Sequence, residues 1–188
     1  QQLYRNTEEA VSRNVFGVPT FFVKDKMWWG QDRMHFVQAA LGSTENPSPE
    51  KHNHGKVLDF YHDFASPFSY LAATQMEKLS QDHRFEVRWK PILLGALFRS
   101  IGTPNVPLFA MSEAKRNYML QDLKDWAEWW GVGFQFPKVF PLRSVLPLRV
   151  TILYPNLTRP LYRAFGQQGR DIGKAEVLEE VAEAHNVK

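Results

Sequence analysis

The chain has 188 residues, of which 44% are hydrophobic and 14% aromatic, and its formal net charge is +3. This length supports one substantial hydrophobic core with room for an inserted subdomain. The absence of cysteine excludes a disulfide framework, dithiol redox chemistry by the protein itself, and zinc or iron–sulfur sites with thiolate ligands. The basic residues are scattered along the chain, so we expect no binding of nucleic acid, whereas a weak positive field suits small anionic ligands.

The first part of the chain predicts a helix, a β-hairpin and a second helix. Residues 2–13 place their apolar side chains on one helical face. Residues 21–23 and 27–29 are rich in strand formers, and the polar residues 24–26 between them predict a hairpin turn. A helix is predicted after Gly30, with Asp32 as a cap or a first-turn acid.

Residues 43–55 form the clearest linker. They are polar, contain two prolines and show no apolar periodicity. The linker histidines His52 and His54 are expected to be solvated, because no histidine spacing in the chain suggests a metal site.

A strand–helix–strand pattern follows the linker. Residues 57–64 predict a strand, residues 67–81 a helix, and residues 85–89 a second strand with period-two alternation. The rest of the chain is mostly helical in pattern. The predicted helices span 92–101, 112–130, 144–153, 158–168 and 174–184, with loops at 103–107 and 136–141.

Ser66 and Pro67 occupy the two positions at which a helix begins, because serine is a favoured N-cap and proline a favoured first helical residue. A helix N-terminus presents unpaired N–H groups and a partial positive charge, which favour an anion. Ser66 is therefore either a plain capping residue, which contributes about 1 kcal/mol, or part of an anion-binding site.

Five blocks of the sequence resemble the 2-hydroxychromene-2-carboxylate isomerases and the kappa-class glutathione transferases. The block from Val57 to Ala73 resembles their N-terminal motif. Residues 92–98, 115–119 and 136–137 resemble their helical insert, and residues 6–10, 16–22 and 29–33 resemble their C-terminal third. The resemblance implies a thioredoxin-like α/β core with an α-helical insert domain.

The order of these blocks is the reverse of the usual one. A thioredoxin core begins β-α-β and ends β-β-α, whereas here the ending comes first. We therefore expect a circularly permuted chain, which folds tolerate when the original termini lie close together at the surface. The predicted parts are 1–42 as the C-terminal half of the core, 43–55 as the linker, 56–90 as the N-terminal half and 91–188 as the helical domain.

The resemblance also implies a function for Ser66. Thioredoxin-like oxidoreductases carry the first cysteine of a Cys-x-x-Cys motif here, whereas residues 66–69 read Ser-Pro-Phe-Ser. By resemblance, the Ser66 hydroxyl stabilises the thiolate of bound glutathione, and the implied activity is the glutathione-dependent cis–trans isomerisation of an aromatic-ring catabolite similar to 2-hydroxychromene-2-carboxylate. Because one hydroxyl proton cannot serve every partner, we expect capping and thiolate binding to coexist only in part.

Further residues are assigned to ligands by resemblance, and each has a plainer alternative. Val18–Pro19 is expected to be a cis-proline bend that pairs with the peptide backbone of glutathione, or else an ordinary proline at a strand entry. Gln31 and Asp32 are expected at the γ-glutamyl end, or else Asp32 caps a helix; Arg33 is expected in a surface or structural ion pair. The other candidates for glutathione are Pro67, Phe68, Lys115 and Asn105, with Asn105 replacing an asparagine that the family carries at the position of Thr103. Arg99 and Arg143 lie outside the resembling blocks; from their charge they are candidates for the carboxylate of the substrate, or else ordinary solvated arginines.

Two other functions stay open at this point. One is a kappa-like glutathione transferase, and the other is a non-catalytic thioredoxin-like binding module.

The resemblance also implies that the protein is a homodimer and that its substrate is a small anionic aromatic compound. Because the sequence has no apolar stretch of membrane-spanning length and no features of a signal peptide, we expect a cytoplasmic protein without a membrane partner.

Overall fold

The computed structural model describes residues 9, 12–14, 20–29, 33, 35–36, 40, 57–83, 86–100, 102–136 and 138–187. The chain divides into two compact units, one made of residues 1–50 and 108–122 and the other of residues 51–107 and 123–188. The predicted linker at 43–55 and the helix predicted at 2–13 lie outside the described residues, apart from residues 9, 12 and 13 of that helix. The four-part division of the chain stays a prediction.

The first unit contains the predicted hairpin. Strand β1 (Thr20–Val23) pairs antiparallel with β2 (Lys26–Trp29), with Thr20 opposite Trp29 and Val23 opposite Lys26. The two-residue turn between them places Lys24 in the left-handed region, at φ 56°, as tight hairpin turns require. The hairpin predicted from the strand formers is therefore confirmed.

The second unit contains the predicted strand–helix–strand arrangement. Strand β3 (Val57–His62) leads into helix α1 (Pro67–His83), and β4 (Glu86–Pro91) then pairs parallel with β3, from Val57 opposite Glu86 to His62 opposite Pro91. The strand predicted to reach residue 64 ends at His62. It ends there because the chain turns toward α1 at Asp63, where the Ala65 N–H donates to Asp63 Oδ1 and the Ser66 N–H donates to the Asp63 carbonyl.

The remaining helices follow the predicted pattern with two differences. The helix predicted at 158–168 is an α-helix to Tyr162 followed by one π-helical turn, Arg163–Gln167, which is closed by the N–H of Gln168 donating to the Arg163 carbonyl. A short helix begins at Pro107, where a loop was predicted. The helices are α2 (Leu94–Ser100), α3 (Pro107–Ala110), α4 (Glu113–Trp129), α5 (Val145–Leu153), α6 (Thr158–Tyr162) and α7 (Ala175–Ala184).

The core of the second unit fixes the position of α1. Tyr70 of α1 is buried, and its hydroxyl donates to the carbonyl of Gly133. The ring of Tyr70 packs directly on Gly166, where an added Cβ would lie 2.5 Å from the ring carbons. Only glycine permits this approach. Side chains that are fully buried around α1 include Phe64, Leu71, Leu157, Leu161, Phe165 and Ile172.

A buried ion pair organises the first unit. Arg33 contacts Asp122 with two hydrogen bonds, Nε to Oδ1 at 2.9 Å and Nη2 to Oδ2 at 3.2 Å. The Asp122 side chain is 1% exposed, so its charge requires a paired cation. The structural ion pair predicted for Arg33 is therefore confirmed.

Among the described helices, none combines the length and apolar character that a membrane crossing requires.

Candidate functional site

Ser66 is the N-cap of α1. The backbone N–H of Ser69 donates to Ser66 Oγ at 3.2 Å, and the N–H of Tyr70 donates to the Ser66 carbonyl at 3.2 Å. This cap uses a lone pair of the hydroxyl oxygen and leaves the hydroxyl proton available to a ligand. The conflict expected between capping and anion binding therefore does not arise.

The first turn of α1 also offers a backbone donor. Pro67 has no N–H, and the Ser69 N–H is bonded to Ser66 Oγ. The N–H of Phe68 has no hydrogen-bond acceptor among the residues that the structure describes, and the Phe68 side chain is 39% exposed. A hydroxyl, an N–H group and the positive end of a 17-residue helix thus meet at a partly exposed position.

Asp63 holds the loop that carries Ser66. Its carboxylate is 2% exposed and accepts two backbone N–H groups, from Ala65 to Oδ1 at 2.9 Å and from Leu94 to Oδ2 at 2.8 Å. The Ser66 N–H donates to the Asp63 carbonyl at 3.1 Å. Because Leu94 is the first residue of α2, this one carboxylate joins the start of α2 to the loop before α1. Sequence analysis missed Asp63, although an Asp two residues before a turn N–H is a recognisable turn signal.

His62, at the end of β3, lies beneath this loop and is 1% exposed. Its Nδ1 lies 3.0 Å from the Tyr162 hydroxyl, and its Nε2 is buried with no hydrogen-bond partner among the described residues. The rings of Phe60, Phe64 and Trp89 surround it with centroid distances of 5.7, 5.7 and 5.5 Å. Burial lowers the pKa of His62 to about 4, although the Asp63 carboxylate acts in the opposite direction. His62 is therefore neutral near pH 7.

The low pKa of His62 predicts acid sensitivity. Its ordinary pKa of 6.5 applies to the unfolded chain and about 4 to the folded one, so the unfolded state binds more protons between these values. Stability is therefore lost as the pH falls from 6.5 to 4, by about 3 kcal/mol from this group. Denaturant unfolding across this range should show a shallower pH slope for His62→Gln, which cannot titrate. Parallel curves for the two proteins would contradict the prediction.

Asn105 packs over the start of α2, which Asp63 joins to the loop before α1. A Cβ added at Gly95 would lie 2.6 Å from Asn105 Oδ1, so the Asn105 side chain packs over the start of α2, next to Leu94. Arg99 is exposed in the last turn of α2. Arg143 is also exposed, and its backbone carbonyl lies against Gly173.

The other predicted ligand residues lie elsewhere or are not described. Lys115 belongs to α4 within the first unit. Val18, Pro19, Gln31 and Asp32 lie outside the described residues.

A cavity of about 270 Å³ runs along one face of α1 in the second unit. Arg159 in its wall pairs with Glu77 at 2.8 Å, whereas Arg163 has no ion pair with an acid among the described residues. Burial raises the pKa of Tyr70 in this wall, and the Arg163 guanidinium acts against that rise. Sequence analysis missed Arg163, because nothing local marks it. The lining residues are Tyr70, Ala73, Thr74, Glu77, Gly131, Val132, Arg159, Tyr162, Arg163 and Gln167.

Comparison with known proteins gives relatives of two kinds. Over 89 residues the chain is 38% identical to a 2-hydroxychromene-2-carboxylate isomerase of Pseudomonas putida, which is 47% of this chain and 43% of that protein. It is 26% identical over 144 residues to glutathione S-transferase kappa 2 of Caenorhabditis elegans, covering 69% of this chain and 63% of that protein. The chain thus spans less than half the length of the isomerase.

The comparisons also identify the fold. A solved structure of a 2-hydroxychromene-2-carboxylate isomerase is similar, with a TM-score of 0.56 and 24% identity over 70% of this chain and 66% of that chain. A profile of the DSBA-like thioredoxin domain matches residues 1–42 and 57–188. The predicted thioredoxin-like fold is confirmed. Since the profile covers nearly the whole sequence, the chain belongs to the family of DSBA-like thioredoxin domains.

Proposed function

We propose that this chain is a glutathione-dependent cis–trans isomerase of a small anionic aromatic-ring compound similar to 2-hydroxychromene-2-carboxylate. The observation that carries the proposal is the cap of α1, in which Ser66 Oγ accepts the Ser69 N–H and keeps its own proton for a ligand. The chain has no cysteine, so a thiol must come from a bound molecule. The relatives named as isomerases and as kappa glutathione transferases support the same choice.

The residues at the start of α1 suit a thiolate. Bound glutathione supplies a sulfur nucleophile that the chain itself lacks. The Ser66 hydroxyl donates to the negative charge, the Phe68 N–H adds a second donor, and the helix N-terminus favours the ionised form. Asp63 keeps Ser66 in place through the two backbone N–H groups that it accepts. This arrangement lowers the pKa of a bound thiol without placing a full positive charge beside it.

Other contacts are proposed from the family resemblance. Val18 and Pro19 would pair with the peptide backbone of glutathione, Gln31 and Asp32 with its γ-glutamyl end, and Lys115 and Asn105 with its remaining polar groups. Arg99 and Arg143 are proposed, from their charge and not from the resemblance, as partners of the substrate carboxylate. We also propose a homodimer in the reducing cytoplasm, which suits a chain without cysteine.

The test is the binding of glutathione, compared with S-methylglutathione. Calorimetry should detect glutathione at millimolar concentration or below, with weaker binding of the S-methyl compound, because that compound cannot form a thiolate. Equal affinity for the two would remove the thiolate from the proposal. A complete lack of binding would leave the non-catalytic binding module as the function.

A kappa-like transferase is the second candidate, favoured by the match with glutathione S-transferase kappa 2 that covers 69% of this chain. The two activities share the glutathione site and differ in the second substrate. Turnover should be measured side by side with 2-hydroxychromene-2-carboxylate and with an electrophilic aryl halide. Faster conjugation of the aryl halide would favour the transferase.

We also propose that the chain is circularly permuted. The two segments matched by the family profile, 1–42 and 57–188, are separated by the residues predicted as a linker, which supports the proposal. A rearranged chain that begins at residue 56, continues to 188 and then joins to residues 1–42 through a flexible linker should fold and bind glutathione. Failure of that chain to fold, while the original order folds, would contradict the permutation.

A further inference from the structure

Most polar side chains in the wall of the α1 cavity already have a partner in the described structure. The Tyr70 hydroxyl donates to a backbone carbonyl, and the Tyr162 hydroxyl lies 3.0 Å from Nδ1 of His62. The Thr74 hydroxyl donates to the carbonyl of Leu71 at 2.6 Å. These three hydroxyl groups are therefore engaged within the protein.

The exceptions in this wall are Arg163 and Gln167. The other two charged residues of the wall, Arg159 and Glu77, pair with each other. By contrast, neither the Arg163 guanidinium nor the Gln167 amide has a hydrogen bond or an ion pair in the described structure. The cavity wall thus carries a positive charge without an acidic partner and an amide whose N–H donors are unused.

Arg163 and Gln167 lie next to each other in the fold. They are the first and last residues of the π-helical turn, and residues four apart share one side of a helix. A Cβ added at Gly133 would lie 2.9 Å from Gln167 Cγ and 3.2 Å from its Nε2, so the Gln167 side chain packs closely on that glycine. Single π-helical turns are rare and often occur at functional sites.

The remaining wall of the cavity is apolar and suits a ring. Ala73 and the rings of Tyr70 and Tyr162 are buried there, and Val132 is half-buried. The volume of about 270 Å³ exceeds the roughly 150 Å³ of an apolar cavity that holds benzene. The cavity therefore has room for one aromatic ring together with a carboxylate.

We propose that this cavity is a binding site for a small carboxylate with a single ring, held by Arg163 and Gln167. A guanidinium binds a carboxylate through two parallel N–H donors, and the amide adds a further donor. The ring lies against Ala73 and Val132. Because Ser66 is not among the described residues that line the cavity, this site is separate from the candidate thiolate site and does not depend on glutathione.

The test uses benzoate as the probe and benzamide as its neutral counterpart of similar shape. Calorimetry at neutral pH should detect benzoate at millimolar concentration or below, and benzamide should bind about tenfold more weakly or less, because it lacks the charge that Arg163 recognises. Failure of wild type to bind benzoate would overturn the inference, as would equal affinity for the two compounds.

Replacing Arg163 tests where benzoate binds. Arg163→Gln should weaken benzoate binding by about tenfold, and Arg163→Lys should give an intermediate affinity because it keeps the charge and loses the paired donors. Benzoate should also raise the thermal unfolding midpoint of wild type more than that of Arg163→Gln. An unchanged affinity in Arg163→Gln would place benzoate elsewhere and overturn the inference.

The double replacement Arg159→Gln with Glu77→Gln is the matched control. It removes an arginine from the same wall together with its acid, so the net charge stays the same. Because both side chains are exposed and already paired, benzoate affinity should change by less than about twofold. A loss as large as that in Arg163→Gln would indicate a general change in the cavity and would overturn the specific role of Arg163.

Discussion

Replacing Ser66 with alanine is expected to raise the pKa of the bound glutathione thiol by one to two units and to reduce turnover at neutral pH at least tenfold. In the proposed complex the hydroxyl donates to a charged sulfur, and hydrogen bonds to charged groups contribute roughly 1.5–3 kcal/mol, which corresponds to about one to two pKa units. The thiolate absorbance of the complex and the pH dependence of turnover measure the two effects. Turnover should recover at high pH, where the thiol ionises without assistance.

The fold should survive this change. Loss of an N-cap costs about 1 kcal/mol, against a total stability of about 5–15 kcal/mol for a domain. Ser112→Ala is the matched stability control, because Ser112 Oγ accepts the N–H of Lys115 at the start of α4 as Ser66 Oγ accepts that of Ser69. Ser66→Thr retains the hydroxyl and should keep the thiol pKa near that of wild type. An unchanged pKa and rate in Ser66→Ala would remove Ser66 from the chemistry.

Replacing Asp63 should destabilise the protein more than any other single change considered for this site. Asp63→Asn replaces one acceptor oxygen with an NH₂ group that faces a backbone N–H, so one buried donor is left unpaired, at a cost of about 2 kcal/mol. Asp63→Ala leaves both the Ala65 and the Leu94 N–H unpaired, at a cost of about 4 kcal/mol. Denaturant unfolding measures both values, and glutathione affinity should fall with them because Ser66 loses its support.

Asp171→Asn is the control for this comparison. Asp171 Oδ1 also accepts a nearby backbone N–H, that of Gly173 at 3.1 Å, but Asp171 is only partly buried, and in the described structure its carboxylate accepts one backbone N–H instead of two. Its replacement should cost less than about 1 kcal/mol, because water can satisfy the freed group. Equal losses for Asp63→Asn and Asp63→Ala would show that the two N–H groups are not the basis of the stabilisation.

Most of the secondary structure could be predicted from local patterns. The hairpin at β1 and β2, the helix α1 and the long helix α4 carry clear signals in strand formers, turn residues and apolar spacing. The end of β3 was predicted two residues too late, because the turn at Asp63 that ends the strand was not recognised in the sequence. The π-helical turn at Arg163–Gln167 breaks a helical pattern that is locally continuous.

The candidate site at the start of α1 likewise has features that local patterns predict and features that depend on distant residues. The cap at Ser66 and Pro67 was predictable because a helix N-terminus is specified by the residues that form it. The role of Asp63 depends on Leu94, which is 31 residues away, and the pairing of His62 with Tyr162 joins residues 100 apart. No local pattern marks such partners.

The sequence by itself thus determined the serine at the start of α1, the absence of any cysteine and the order of strands and helices, because these depend on residue identity and on neighbours within a few positions. Only the tertiary structure decided that the buried Asp63 carboxylate joins the loop before α1 to the start of α2, and that a neutral His62 pairs with the Tyr162 hydroxyl beneath that loop. Hydrogen-bond direction, burial and pKa depend on groups that meet only when distant segments pack together.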